Sequence, residues 1–319
     1  MKINRTPLRG YAILLVGALV LLVSAIEPGR GVPLSTPTTK NVDLRNKIGG
    51  FGIAIRDQGQ RNTCSVYATT FLLEYETAKA TNQKGLDFSE DYLNAVTDMV
   101  TNTKDDGDFF ANIVNGYLKF GTVDQSDFPN TASYKPNNVP SESLLDDGKN
   151  NIKFVPVFIR ENPGTANPWG LTDDHINQIV AQLDAGRSVA AGWRLGKSGI
   201  ESSQVLGRNV WSRNIAKDPT DYYGHSMPIV GYVKATDTGA GYFIIRNSGG
   251  SSWGDGGYSY CTFEFAKQNI ADVFYLKPKL REVSVRLPQL IRRPAPRYIR
   301  IDEMQRIMNV STKAGIKNQ

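Results

Sequence analysis

The sequence predicts an α+β protein: a helical N-terminal lobe, an antiparallel C-terminal lobe of strands, and a cleft between them. Three observations predict it. Between about residues 64 and 121, apolar residues recur at helical spacing. Between 188 and 265, apolar runs have strand length and are punctuated by Gly and Asp turns. The 319 residues are 40% hydrophobic and 21% charged, enough to bury a sizeable core and too apolar for a disordered chain.

The elements are justified in chain order. Residues 1–25 read as a signal peptide: Lys2, Arg5 and Arg9 precede an apolar run from Tyr11 to Ile26, and Val23-Ser24-Ala25 suits cleavage after Ala25. An uncleaved anchor is the alternative, although the run is short of the roughly 20 residues a span needs. Either reading places the protein outside the cytoplasm, secreted, periplasmic or membrane-anchored. Residues 26–40 read as a Pro/Gly/Thr linker. The first long helix opens at Cys64, with Ala68, Phe71, Leu72, Tyr75 and Ala78 in register and Asn62 or Thr63 as cap. Helices in "FSEDYLNAVTDMV" (cap Ser89), "FFANIVNGYLKFG" (stop Gly121) and "LTDDHINQIVAQLDAGR" (cap Thr172) follow. Strands are expected in "SVAAGWRL", "SMPIVGYVKA", "GYFIIRNS" and "GYSYCTFEF". The folded domain is placed at 41–276 and a basic tail at 277–319.

The net charge of +6 is unevenly spread. The first 30 residues carry +3, residues 31–276 carry −5, and the tail carries +8. The acidic body gives no reason to expect nucleic acid. The proline-broken tail reads as solvated chain, with an anionic surface or polymer as its alternative partner.

Two cysteines and two histidines carry the chemistry. Cys64 follows the polar turn "RDQGQRNT" and opens a helix, where free N–H groups favour a thiolate. His225, in "YYGHSMPIVGY", is the candidate base, and Asn247, at the end of "FIIRN", the candidate orienter of its ring. Gln58, six residues before Cys64, is a candidate oxyanion donor. His175, flanked by Asp173 and Asp174, reads as an exposed helix-start residue without a role, and Cys261 as a buried, inert thiol. None of these four is paired at short metal-ligand spacing, so neither a metal nor a cofactor is expected.

Here the residues reach a family. "VDLRNKIGGFGIAIRDQGQRNTCSVYA" resembles the mature start of papain-family (C1) cysteine peptidases, including the Gln-to-Cys spacing. "GHSMPIVGY" resembles the family's histidine strand and "IIRNSGGSSWGDGGYSY" its asparagine segment, in the family's order. The resemblance covers about residues 41–276. It implies the papain-like two-lobed fold with a β-barrel-like second lobe, and a thiolate/imidazolium mechanism of peptide hydrolysis by an endopeptidase. It implies Cys64 as nucleophile, His225 as base and acid, Asn247 as orienter and Gln58 as oxyanion donor. It also implies substrate contacts: Asp106 and Gly107, where the family has a glycine pair; Phe109, at the pocket for the side chain two before the scissile bond; and Trp253, on the leaving-group side.

The departures are specific. Arg61-Asn62 stands where the loop usually has Cys-Gly, and Ala95 stands near another half-cystine position, so the helical lobe lacks the usual staples. Ser65 replaces the tryptophan after the nucleophile. Gly249 replaces the tryptophan that shields the His–Asn contact, which is therefore expected to be wetter. Between Ala25 and Asn41 there is no room for a folded pro-segment. Two other functions share these residues: acyl transfer or amide hydrolysis on cell-wall peptides, and a catalytically weak binding module.

Overall fold

The computed structural model describes residues 39–279 apart from 163, 166 and 219, together with 288, 290, 301 and 303–306. The expected signal peptide, nearly all of the linker and most of the basic tail lie outside the described residues.

The chain runs β1 (Thr39–Asp43), α1 (Arg45–Gly50), α2 (Cys64–Thr81), α3 (Glu90–Thr101), α4 (Phe110–Phe120), α5 (Glu142–Lys149) and β2 (Phe154–Arg160). It continues α6 (Asp173–Asp184), β3 (Val189–Gly196), β4 (Gly199–Val205), β5 (Arg208–Ile215), β6 (Tyr222–Ala235), β7 (Gly241–Arg246), β8 (Tyr258–Thr262), α7 (Phe263–Asn269) and β9 (Ile270–Pro278). The helical half packs through α2, α3 and α4, and the strands form one sheet in the order β2-β9-β3-β6-β7-β8-β5-β4, with β1 added to β6. Every pairing is antiparallel except the short parallel contact of β5 with β8.

The cleft elements begin and end where their sequences dictate. Helix α2 is buried along most of its length because it lies between α3 and α4 on one side and β3, β6 and β9 on the other. Helix α3 starts at Ser89, whose Oγ accepts the Tyr92 N–H at 2.9 Å. Gly121 stops α4 at φ +72°, its N–H donating to the Tyr117 carbonyl at 2.7 Å. Strand β6 is 14 residues long and pairs with β1, β3 and β7, so it forms the spine of the sheet.

Three boundaries differ from expectation. Thr39 and Lys40 belong to the fold, pairing with Ala235 and Lys234, so the linker ends earlier than residue 40. The stretch "TFEF" alternates like a strand, but Thr262 Oγ1 accepts the Phe265 N–H at 2.9 Å and turns it into α7. The β4–β5 hairpin, absent from the sequence reading, closes on Leu206 and Gly207, both at positive φ.

Candidate active site

The site is assembled by hydrogen bonds between two loops distant in sequence. The stretch before α2 lies along the stretch after β7: Gln58 N–H donates to the Ser248 carbonyl and Gly250 N–H to the Arg56 carbonyl, each at 2.9 Å. Arg56 anchors this pairing from below, donating to the Phe88 carbonyl at 2.8 Å and to the buried carboxylates of Glu74 and Glu90. Gln58 and Asn247 are thereby held beside the start of α2.

His225 and Asn247 meet as the sequence predicts. His225 Nε2 lies 2.7 Å from Asn247 Oδ1, both buried, and Asn247 is pinned through its own N–H to the Gly257 carbonyl at 2.9 Å. An amide oxygen accepts, so Nε2 carries the proton and Nδ1 is left as the ring's acceptor. Nδ1 has no hydrogen-bond partner among the described residues.

Cys64 reaches the same strand. Ser226, one residue beyond His225, and the backbone N–H groups at the helix start lie close enough to the sulfur to favour its thiolate. Ser226 was not singled out in the sequence; only the register of β6 reveals it. The dyad is fully enclosed. Burial pushes the Cys64 thiol up to about 12 despite those donors, and pushes the His225 ring down to about 4 despite Asn247. Burial therefore works against the charged form of each group in this enclosed site, the thiolate of Cys64 and the imidazolium of His225.

Gln58 faces two partners. Its Oε1 accepts the Ser248 hydroxyl at 2.5 Å and its Nε2 donates to the Arg61 carbonyl at 2.8 Å. This clamp leaves the second Nε2 hydrogen and the Cys64 backbone N–H as donors at the helix mouth. Replacing Gln58 by Ala is expected to lower kcat by roughly 10²–10³ with KM little changed. Steady-state kinetics check this, and a loss confined to KM contradicts an oxyanion role.

The expected substrate contacts divide. Phe109 is half-buried just before α4, in keeping with a pocket wall. Gly107, at φ +89°, must be glycine because a Cβ there would run into the Asn62 carbonyl, and its N–H is already given to Asn94 Oδ1 at 2.8 Å. The Asp106 carboxylate binds Arg61 at 2.7 and 3.0 Å and accepts the Asn62 N–H at 3.2 Å, which fixes the turn that carries Gly107. Trp253 is 2% exposed and packs edge-on against Trp211 with ring centroids 6.3 Å apart. Sequence reasoning also passed over Asp108. Its carbonyl accepts the Ser65 hydroxyl at 2.7 Å, and burial pushes its carboxyl up to about 7.

The remaining cysteine is as expected, while the histidine, expected to be exposed and without a role, is half-buried and caps a helix. Cys261 is a buried free thiol on β8. His175 completes the capping box of α6, its Nδ1 accepting the Thr172 N–H at 3.1 Å.

The expected wet His–Asn contact is a correction. Gly249 does not occupy the left-handed region, and a Cβ built on it would lie 3.1 and 3.2 Å from the Cγ2 and Cδ1 atoms of Ile301. Asn247 Nδ2 donates to Met304 Sδ at 3.6 Å, and Met304 is fully buried. Residues of the basic tail therefore cover the contact that the missing tryptophan leaves open.

Comparison with known proteins agrees with this geometry. The pattern that describes the papain family cysteine proteases matches residues 38–275. Cysteine proteinase 1 of Entamoeba histolytica is 27% identical over 245 residues, covering 75% of this chain and 69% of its own. The oryzain gamma chain of Oryza sativa subsp. japonica is 27% identical over 211 residues, covering 64% of this chain and 50% of its own. The chain thus spans about half to two thirds of the length of these curated relatives. Among solved structures, xylellain, a cysteine protease from Xylella fastidiosa, superposes with a TM-score of 0.55 at 19% identity, over 75% of this chain and 86% of that one. The proform of Amb a 11, a cysteine protease and ragweed pollen allergen, superposes with a TM-score of 0.51 at 20% identity, over 79% of this chain and 69% of that one. With three quarters of its length matched, and a buried cysteine, histidine, asparagine and glutamine gathered at the start of one helix, the chain belongs to the papain family of cysteine proteases.

Proposed function

We propose that this protein is a cysteine-type endopeptidase in which Cys64 attacks the scissile carbonyl. The observation that carries the reading is the 2.7 Å His225–Asn247 hydrogen bond, which leaves Nδ1 as a proton acceptor one residue before Ser226, the neighbour of the Cys64 sulfur. The Cys64 proton passes to His225 Nδ1 as sulfur bonds to the carbonyl carbon. The carbonyl electron pair moves onto oxygen, where Gln58 Nε2 and the Cys64 N–H receive it. His225 then returns the proton to the leaving amine, and water releases the acyl group by the same route. Desolvation is the leading cause of both shifts in the dyad, so the charged pair forms as the site opens to substrate and is not stored beforehand.

Two measurements test this. A peptide library incubated with the protein is expected to be cut at internal bonds, and prior alkylation of Cys64 is expected to stop the cutting. The rate of alkylation by a small neutral reagent is expected to be slow at pH 7 and to keep rising through pH 9, because the resting thiol holds its proton. A rate already level at pH 6 contradicts the neutral resting state, and an uncut library contradicts the hydrolytic reading.

A further inference from the structure

The tail residues at the site do more than touch it. Ile301 and residues 303–306 are helical, and their contacts bracket the catalytic pair. Tyr223, two residues before His225, donates its hydroxyl to Glu303 Oε1 at 2.5 Å. Met304 Sδ takes the Asn247 Nδ2 hydrogen, and Ile301 fills the space above Gly249. Further back, Asn115 of α4 donates to the Pro288 carbonyl at 2.9 Å, so the tail is also fixed to the helical lobe.

We propose that Ile301 and residues 303–306 are an intramolecular cover for the His225–Asn247 hydrogen bond, with Met304 and Ile301 as positioning residues. The physical reason is competition for protons. Water reaching Asn247 Oδ1 would share the ring proton and raise the local dielectric, loosening the imidazole. The thioether is a weak acceptor that satisfies the Asn247 amide hydrogen and leaves Oδ1 turned to the ring. Glycine at 249 is the complementary half of the device, because any side chain there meets Ile301. The inference rests on the hydrolytic reading for its kinetic consequence but not for its structural one.

The test uses the full chain labelled with ¹⁵N-histidine, in which only His175 and His225 contribute. The His225 Nε2 proton is expected to exchange slowly with water in the wild type, and at least tenfold faster in Met304→Ala and in Ile301→Ala/Met304→Ala. Ile301→Ala alone, at a half-buried position, is the milder variant and should give an intermediate rate should the others fail to fold. In parallel, kcat is expected to fall about tenfold with KM unchanged. Adding Gly249→Trp to the double variant, where Ile301 no longer obstructs it, should restore both slow exchange and kcat. Unchanged exchange in any folded variant overturns the cover. So does a rise in kcat with a fall in KM, which would mean that the segment obstructs substrate. Slow exchange in a wild type that cuts no peptide would leave the cover standing and overturn the hydrolytic reading alone.

Discussion

Replacing Cys64 by serine is expected to leave a folded protein whose turnover has fallen by roughly 10⁶-fold. The hydroxyl fits where the buried sulfur was, so the start of α2 keeps its packing. What is lost is nucleophilicity: a serine here lacks a strong enough base, because burial already holds the His225 ring down to about 4. The counterpart is Cys261→Ala on β8, expected to cost about 1 kcal/mol of stability and to keep kcat. Thermal unfolding and peptide hydrolysis on both variants decide the matter. Residual turnover near wild type in Cys64→Ser, or its loss in Cys261→Ala, contradicts the assignment of the nucleophile.

The second large effect is on stability. Arg61→Ala is expected to destabilise the protein by about 3–5 kcal/mol. Arg61 is 6% exposed; it donates to Asp106 and to the buried Asp91, and at 3.1 Å to the Thr131 carbonyl. One guanidinium thereby ties the loop before Cys64 to α3, to the Asp106–Gly107 turn and to the segment after Phe128. Alanine removes the cation that both carboxylates share and leaves the buried Asp91 without it. At about 2–4 °C per kcal/mol for a domain of this size, the melting temperature should drop by roughly 6–20 °C. A drop within a degree or two would mean that the cluster contributes nothing.

Much of the site was legible in the sequence because its chemistry is local. A glycine-bearing turn before a helix, a histidine opening an apolar strand and an asparagine closing another each declare themselves within a few residues. The caps at Ser89 and Thr172 and the stop at Gly121 were legible for the same reason. What was hidden depends on register or on distance. Ser226 comes near the thiol only because β6 places it one residue beyond His225, and the ion pair of Asp106 with Arg61 joins residues 45 positions apart. The contact of Trp253 with Trp211 depends on the unforeseen β4–β5 hairpin. The tail was the hardest part. Its prolines and basic residues show no period, and nothing within 301–306 indicates that Met304 belongs beside Asn247, 57 residues earlier.

The charged knot at Arg61 also changes which environments the fold withstands. A thiol enzyme must be kept reduced to work, and where sulfur bridges brace the frame, the reductant that protects the nucleophile threatens the scaffold. Here the only two sulfurs of cysteine are both unbridged, so electron donors find nothing structural to break. The brace around Arg61 is made of ion pairs and hydrogen bonds, none of which a thiol reagent can cleave. Dithiothreitol should therefore preserve activity without lowering the melting temperature.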